Sequence, residues 1–250
     1  MKPVHHTTST SSLDLRHRIL EFWSSIRRST TKQPFNTVLN IDETSIQFEH
    51  VPQTVLAEKG HAVIVACNKN VRTTATAVLA TTLTGQLLPP TIIFRGKNCL
   101  KVHRPTPPSA LPAFIFFQKN GWMDGNIWTQ LLQLLLPPLP KPLLFIFDNF
   151  KAHNTAAAQQ LYADFGVTAL EVPAHCTPFV QPTDANVHHL FKTYLYAELA
   201  KRDTHVGAGL QRDIVLACVE AAATKLQSKA DSIQRSFVVT GVAAGTHLWL

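Results

Sequence analysis

The sequence has few charged residues, few cysteines and no long apolar run. Its four cysteines lie far apart and form no CxxC pair, so neither a disulfide framework nor a structural zinc site is expected. Only 16% of its residues are charged while 45% are hydrophobic, which excludes an intrinsically disordered chain. No apolar run approaches the roughly 18 residues of a membrane span, and the first residues lack the apolar region of a secretory signal. These absences predict a soluble, intracellular protein with reduced thiols and no membrane partner.

Length and charge describe what is present. The chain has 250 residues, enough for one or two domains of about 150 residues each. It carries 23 Lys and Arg against 16 Asp and Glu, a formal net charge of +7, and its sequence pI is about 9.4. A basic balance of this kind favours association with a polyanionic partner, without specifying a fold.

Hydrophobic periodicity predicts the elements of an α/β protein. Helices are expected at 13–26, 124–136, 155–165, from Asp184 onward and at 210–227, where apolar residues recur at helical spacing. Five strands are expected at 35–43, 73–82, 87–94, 142–148 and 168–172. The continuously apolar run at 142–148 is typical of a strand buried on both faces.

Turn and proline signals place the connections. Gly85 is expected to turn a hairpin between the second and third strands, and Pro89 and Pro90 favour an edge or bulged position for the third strand. The proline-rich segment 101–112 is expected to be irregular. This order of elements predicts one mixed, five-stranded sheet flanked by helices, as in the ribonuclease H-like fold.

Three aspartates occupy positions that suggest chemistry. Asp42 ends the first strand, Asp148 ends the most hydrophobic strand, and Asp184 opens a helix after a proline-containing loop. Ligands of open sheets collect at the carboxyl ends of the strands, where Asp42 and Asp148 are expected. Converging carboxylates repel one another unless a cation lies between them, and hard oxygen ligands suit Mg²⁺ or Mn²⁺.

Each aspartate also has a purely structural alternative. Asp184 fits an N-cap at the start of its helix. Asp148, followed by Asn149, fits a turn at the end of a strand. Asp42 fits an ion pair with one of the many basic residues.

The local sequence then resembles a known family. Six segments match the DDE-type transposases of the mariner-like superfamily, in the pogo/Tigger branch that includes centromere protein B relatives. They span about residues 36–242 and read NIDETSIQF, ATTLTGQLLPPTIIFRGK, NGWMDGNIWTQLL, LLFIFDNFKAH, PAHCTPFVQPTD and SIQRSFVVTGV. The 35 residues between Asp148 and Asp184 are a spacing typical of such transposases.

The resemblance implies that Asp42, Asp148 and Asp184 are the catalytic, metal-binding triad of a ribonuclease H-like core holding two Mg²⁺ or Mn²⁺ ions. His153 matches the histidine that follows the second acid, which implies a role toward a phosphate or in support of the metal site. A solvated histidine at a helix start is the alternative. Lys192 is a second candidate for nucleic-acid binding, with an ordinary surface lysine as its alternative.

The loop before Asp184 departs from the family at one position. Thr183 stands where the family has leucine, which is expected to loosen the packing of this loop, and Gln181 is expected to shape it.

The domain layout and function follow as expectations. Residues 1–34 are expected to form a tail and a helix, and 35–245 a DDE-type catalytic domain without the helix-turn-helix domains of the family. The implied function is metal-dependent cleavage and strand transfer of DNA in the nucleus, with self-association into a homo-oligomer left open. The alternatives are a catalytically silent, host-adopted or decayed transposase that binds DNA or acts as a scaffold, and a cellular ribonuclease H-like nuclease, which the six segments disfavour.

Overall fold

A computed structural model describes residues 12–47, 74–97, 99–103, 113–201 and 212–246. Side chains of 99–103 are outside this description. The expected tail over residues 1–11, and most of the proline-rich connection, also lie outside it. None of the helices in the described ranges is both long and apolar enough to cross a membrane. Cys176 and Cys218, two of the four cysteines, are buried.

Seven strands form one mixed sheet. They are β1 (Thr37–Gln47), β2 (Thr74–Thr82), β3 (Thr91–Arg95), β4 (Cys99–His103), β5 (Ala113–Gln118), β6 (Leu143–Phe147) and β7 (Val167–Glu171). Their order across the sheet is β4-β5-β3-β2-β1-β6-β7. Strand β1 pairs antiparallel with β2 and parallel with β6, and β6 pairs parallel with β7. The ribonuclease H-like α/β class is therefore confirmed.

The sheet differs from expectation at one side. It has seven strands rather than five, because β4 and β5 come from sequence around the segment interpreted as an irregular connection. The apolar run AFIFFQ of β5 pairs parallel with β3. Strand β3 therefore lies inside the sheet rather than at its edge. Pro89 and Pro90 precede the strand, so they interrupt none of its pairing.

Helices cover both faces of this sheet. They are α1 (Ser12–Lys32), α2 (Gly125–Leu135), α3 (Ala156–Asp164), the single turn α4 (Thr177–Val180), α5 (His188–Lys201), α6 (Arg212–Gln227) and α7 (Ala230–Val239). One apolar core lies between the sheet and helices α1, α5, α6 and α7. The other lies between the sheet and helices α2 and α3. Sequence periodicity predicted all of these helices except α4 and α7.

Helix α1 packs against the C-terminal part of the chain. The indole N–H of Trp23 donates a hydrogen bond to the backbone oxygen of Thr240 over 2.9 Å. Gly241 follows at a φ of +75°, and a Cβ there would lie 2.7 Å from the Trp23 ring. The side chain of Ile26 is fully buried in the same core as helices α5 to α7. The helix expected in the N-terminal segment is therefore part of the packed domain.

Candidate active site

Strand β1 sends two consecutive carboxylates to opposite faces of the sheet. Val38 packs with helices α5 to α7, whereas Leu39 and Ile41 pack with helices α2 and α3. Because side chains alternate along a strand, Asp42 faces the α5 side and Glu43 faces the α2 side. The strand is thus positioned to supply an acid to each of two sites.

The register of the parallel pair brings Asp148 beside Asp42. Asn40 of β1 lies opposite Ile146 of β6, and two residues further along each strand come Asp42 and Asp148. Asp148 directly follows β6, whereas Asp42 lies within β1, which continues to Gln47, so the expectation that Asp42 ends the first strand is wrong. Both acids lie just beyond the last paired residues of β1 and β6, at the carboxyl end of this parallel pair, where open sheets place their ligand sites.

A buried hydrogen-bond network fixes the turn that carries Asp184. The Asn40 amide donates to the backbone oxygen of Ile146 over 3.1 Å, and its oxygen accepts from both the backbone N–H and the hydroxyl of Thr183 at 2.9 Å. Asn40 and Thr183 are fully buried. The expectation that Thr183 loosens this loop is therefore wrong, because its hydroxyl is paired in the core.

Asp184 lies in a π-helical turn rather than at a cap. The turn spans Thr183–Val187 and runs directly into helix α5, and such turns are frequent at functional sites. No side-chain cap bond is formed at its start, so the N-cap alternative for Asp184 is wrong. Gln181, expected to shape the loop, is fully buried just ahead of the turn.

Two acids and a histidine form the first cluster, called the Asp42 group. It consists of Asp42, Asp184 and His188, whose potential metal-ligand atoms lie within 4.8 Å of one another. Nδ1 of His188 lies 3.1 Å from Oδ1 of Asp184 and 3.7 Å from Oδ2 of Asp42. The side chains of Asp42 and His188 are each 9% exposed, and that of Asp184 is 32% exposed. The group therefore opens to solvent on the Asp184 side.

Burial and charge repulsion both shift the pKa of Asp42 within the Asp42 group. Burial, followed by the charges of Asp184, Glu43 and Asp148, raises the pKa of Asp42 to about 9. The hydrogen bond from His188 lowers the pKa of Asp184, and a hydrogen bond from Asp42 and the charge of Lys192 act in the same direction. Without a metal, Asp42 is therefore protonated near neutral pH and donates to Asp184.

The second cluster, here the Asp148 group, consists of Glu43, Asp148 and His153. Nε2 of His153 lies 3.1 Å from Oε1 of Glu43, and Nδ1 lies 2.8 Å from Oδ1 of Asp148. The backbone oxygen of Asp148 lies 3.3 Å from the same Nδ1, so this nitrogen faces both the side chain and the backbone of Asp148.

Both acids act on the ionisation of His153. Burial opposes the charged ring, but hydrogen bonds and charge from Asp148 and Glu43 outweigh it and raise the pKa of His153 to about 9. The ring is fully buried, so the alternative of a solvated histidine is wrong. A ring without exposed surface cannot contact a phosphate directly, which corrects the expectation of nucleic-acid binding and leaves a supporting role.

The remaining alternatives from sequence are resolved by the same contacts. Within the described ranges, Asp42 contacts His188 and is influenced by the charges of neighbouring carboxylates, and no lysine or arginine pairs with it. Asp148 contacts His153 instead of only closing a turn. Lys192 is half-buried on helix α5 and close enough to Asp184 for its charge to lower that pKa.

Sequence reasoning missed Asn40 and His188 and assigned no role to Glu43. Asn40 is a polar residue within the apolar strand segment TVLNI, which signals a buried hydrogen-bond partner. His188 follows Asp184 by four residues, the spacing that brings two side chains together on one helix face. Both signals were present in the sequence.

The donor set fits a hard divalent cation. Asp42, Asp148 and Asp184 offer carboxylate oxygens, which Mg²⁺ and Mn²⁺ prefer. Their mutual repulsion, expressed in the raised pKa of Asp42, is what a bound cation would relieve. The residues present are thus compatible with the divalent metal that the fold implies.

Solved structures with the same fold support this picture of the domain. The chain is similar to the mariner Mos1 paired end complex with Mg at 12% identity and a TM-score of 0.56, covering 100% of this chain and 67% of that one. It is similar to the Mos1 transposase paired-end complex with left transposon end at 10% identity and a TM-score of 0.52, covering 95% of this chain and 66% of that one. The chain thus spans about two thirds of the length of these Mos1 chains.

An isolated domain gives nearly complete mutual coverage. The Mos1 transposase catalytic domain with Raltegravir and Mn matches 96% of this chain and 98% of that one, at 12% identity and a TM-score of 0.50. At this identity the similarity shows the fold alone. The sequence profile of the DDE superfamily endonucleases matches residues 71–237, well over half of the chain and including Asp148 and Asp184. The chain therefore belongs to the DDE superfamily endonuclease family.

Proposed function

We propose that this chain is a transposase-type endonuclease domain that cleaves and joins DNA phosphodiester bonds, with Asp42, Asp148 and Asp184 as its catalytic metal ligands. The proposal is carried by the close approach of Asp42 and Asp184, whose ligand atoms lie within 4.8 Å of each other, and by the charge of Asp148 acting on Asp42. Burial, followed by the charges of Asp184, Glu43 and Asp148, raises the pKa of Asp42 to about 9. Family membership supports the same reaction class.

The proposed cofactor is Mg²⁺ or Mn²⁺, bound as two ions. Mos1 structures are described with Mg and with Mn, and the carboxylates of this chain offer the oxygen donors that both metals take. When bound, the ions would activate the attacking oxygen and neutralise charge at the scissile phosphate. Around them, His188 orients Asp184, and Asn40 fixes the turn that carries it.

DNA is the proposed partner. The net charge of +7 favours a polyanion. The charge of Lys192 acts on Asp184, and Lys151, two residues before His153, is exposed, so these two lysines are the proposed phosphate contacts. One Mos1 structure is a complex with a left transposon end. We propose self-association on DNA as a corollary, which analytical ultracentrifugation with and without a duplex would measure.

We also propose the pogo/Tigger branch as the closer affiliation, because six segments in the order typical of that branch span about residues 36–242. The proposed catalytic domain is 35–245, preceded by a tail and helix over 1–34, of which helix α1 packs onto the domain core. The nucleus is the proposed compartment, on the resemblance to that branch.

A metal titration in a plasmid-nicking assay tests the function. Supercoiled plasmid is incubated with the purified chain and Mg²⁺ or Mn²⁺, with Asp42→Asn as the matched control. We expect metal-dependent nicking that the variant lacks. Binding of DNA without nicking in either metal would overturn the enzymatic proposal and favour the catalytically silent alternative.

A further inference from the structure

His153 connects two carboxylates that lie on neighbouring strands. Its Nε2 is 3.1 Å from Glu43 and its Nδ1 is 2.8 Å from Asp148, while the ring itself is fully buried. Each ring nitrogen of His153 therefore faces a different carboxylate. The geometry describes a bridge of carboxylate, imidazole ring and carboxylate.

Aromatic packing fixes the ring of this bridge. The indole of Trp128 lies over the His153 ring with centroids 3.8 Å apart, and the edge of the ring meets Phe147 with centroids 5.7 Å apart. The Tyr162 hydroxyl donates to the backbone oxygen of His153 over 3.0 Å and accepts from the Trp128 indole N–H over 2.9 Å. Ring and backbone of His153 are therefore held from several directions.

The contacts of the ring connect it to Asp148. Both ring nitrogens face carboxylates, so the position of the ring influences where the Asp148 carboxylate lies. The side chain of Glu43 is 17% exposed and that of Asp148 is 30% exposed, so part of the Asp148 carboxylate stays accessible.

We propose that Glu43 and His153 form a positioning clamp that orients the carboxylate of Asp148 for metal binding. The inference rests on the proposed function, because it assigns the clamp to a metal ligand. Glu43 contacts Nε2 of the His153 ring, and Nδ1 of the same ring contacts Asp148. Partners of this kind fix the orientation of ligands, and their loss typically costs about 10- to 100-fold in metal affinity.

Calorimetric titration of the full chain with Mn²⁺ alone tests the clamp. Glu43→Gln keeps the shape of the side chain and removes its charge, and we expect about 10-fold weaker Mn²⁺ binding. Thr155→Ala is the matched control, because it removes the N-cap bond to the backbone of Ala158 just after His153 without touching the clamp. The control is expected to lower the thermal midpoint and leave Mn²⁺ affinity unchanged.

A double-mutant cycle with His153→Gln shows whether Glu43 acts through the ring. If it does, Glu43→Gln adds no further loss of Mn²⁺ affinity to His153→Gln. Additive losses, or a Glu43→Gln variant that binds Mn²⁺ like the parent, would overturn the clamp alone. A parent chain that binds no Mn²⁺ would overturn the proposed function and the clamp together. Should His153→Gln fail to fold, the comparison of Glu43→Gln with Thr155→Ala decides the question.

Discussion

The Asp42 group and the Asp148 group lie on opposite faces of β1 and balance their charges differently. In the Asp148 group, His153 lies between two carboxylates, and its pKa is raised to about 9. In the Asp42 group, burial and acidic neighbours raise the pKa of Asp42 to about 9. One group therefore carries a protonated histidine, and the other carries a protonated acid.

The difference shows where a cation is needed. The Asp148 group has its own positive charge, held at 2.8 Å and 3.1 Å from its acids. The Asp42 group relieves its repulsion by keeping a proton on Asp42, which a divalent ion would displace. Asp148 belongs to one group by contact and acts on the other by charge. We therefore propose that the metal binds at the Asp42 group. Asp148, oriented by Glu43 and His153, would then be a further ligand of the same metal.

The largest effect is expected on cleavage. Asp42→Asn and Asp148→Asn each remove a proposed ligand, and metal ions supply several kcal/mol of charge stabilisation. Because each 1.4 kcal/mol is tenfold in rate, we expect losses of more than about 1000-fold in metal-dependent nicking. If either variant nicks plasmid at the parental rate in Mg²⁺, that residue is not a ligand.

The same two substitutions are expected to change stability in opposite directions. In the metal-free protein at pH 8, Asp42→Asn removes a group whose pKa burial and carboxylates raise from 3.8 to about 9. Since one pKa unit corresponds to about 1.4 kcal/mol, we expect a gain of more than about 1 kcal/mol. Asp148→Asn takes a carboxylate from the buried His153 cation, and we expect a loss of about 1–3 kcal/mol. Urea unfolding in the presence of a chelator measures both changes in the free energy of unfolding. If both variants were stabilised, or both destabilised, the proposed difference between the two groups would be wrong.

The pH dependence sharpens this contrast. A group whose pKa is higher in the folded state than in the unfolded state stabilises the fold fully at pH values below its unfolded-state pKa. This stabilisation is lost as the pH rises through its folded-state pKa. The Asp42 contribution is thus complete below about pH 3.8 and falls until about pH 9. The His153 contribution is complete below about pH 6.5 and is lost through about pH 9. We expect the free energy of unfolding of Asp42→Asn to decline less steeply than that of the parent, and parallel pH profiles would contradict this account.

Asn40 tests how the Asp42 group is held. Asn40→Ala leaves the donors of Thr183 and the oxygen of Ile146 without their buried partner. We expect a loss of about 1–3 kcal/mol in the free energy of unfolding together with weaker metal binding. Asn36→Ala on the same segment is the control, because Asn36 is exposed and binds only the backbone of Lys141 through its side chain among the described contacts. If the two substitutions lowered stability and metal binding equally, Asn40 would not be responsible for holding the turn that carries Asp184.

The smallest effect is expected for Lys192. Lys192→Gln removes a charge close to Asp184, and we expect DNA affinity to fall a few-fold and the slope of log affinity against log salt to shrink by about one unit. Lys201→Gln, at the far end of helix α5 and paired with Glu198, is the matched control. A slope that stays the same for Lys192→Gln would argue against a phosphate contact.

Local patterns predicted the elements around the site better than the site itself. The continuous apolar run at Leu143–Phe147 identified β6, because a strand buried on both faces is apolar throughout. The helical spacing of apolar residues identified α2, because a helix buried on one face leaves a periodic signal. Strands β4 and β5 were not predicted, because short strands next to prolines give no clear periodic pattern of apolar residues. Glu43 was given no role because its partner His153 is 110 residues away in sequence, and only the fold brings the two together. The contact of His188 with Asp184 was overlooked although its spacing of four residues was visible.

Direct measurement of Mn²⁺ binding tests the central claim that Asp42, Asp148 and Asp184 form a metal site. Calorimetric titration at pH 8 compares the parent with Asp42→Asn, Asp148→Asn and Asp184→Asn, and with Asp164→Asn as a control on helix α3. We expect the parent and the control to bind Mn²⁺ alike and each triad variant to bind at least about 10-fold more weakly. Equal Mn²⁺ affinity in the parent and all three triad variants would contradict the account.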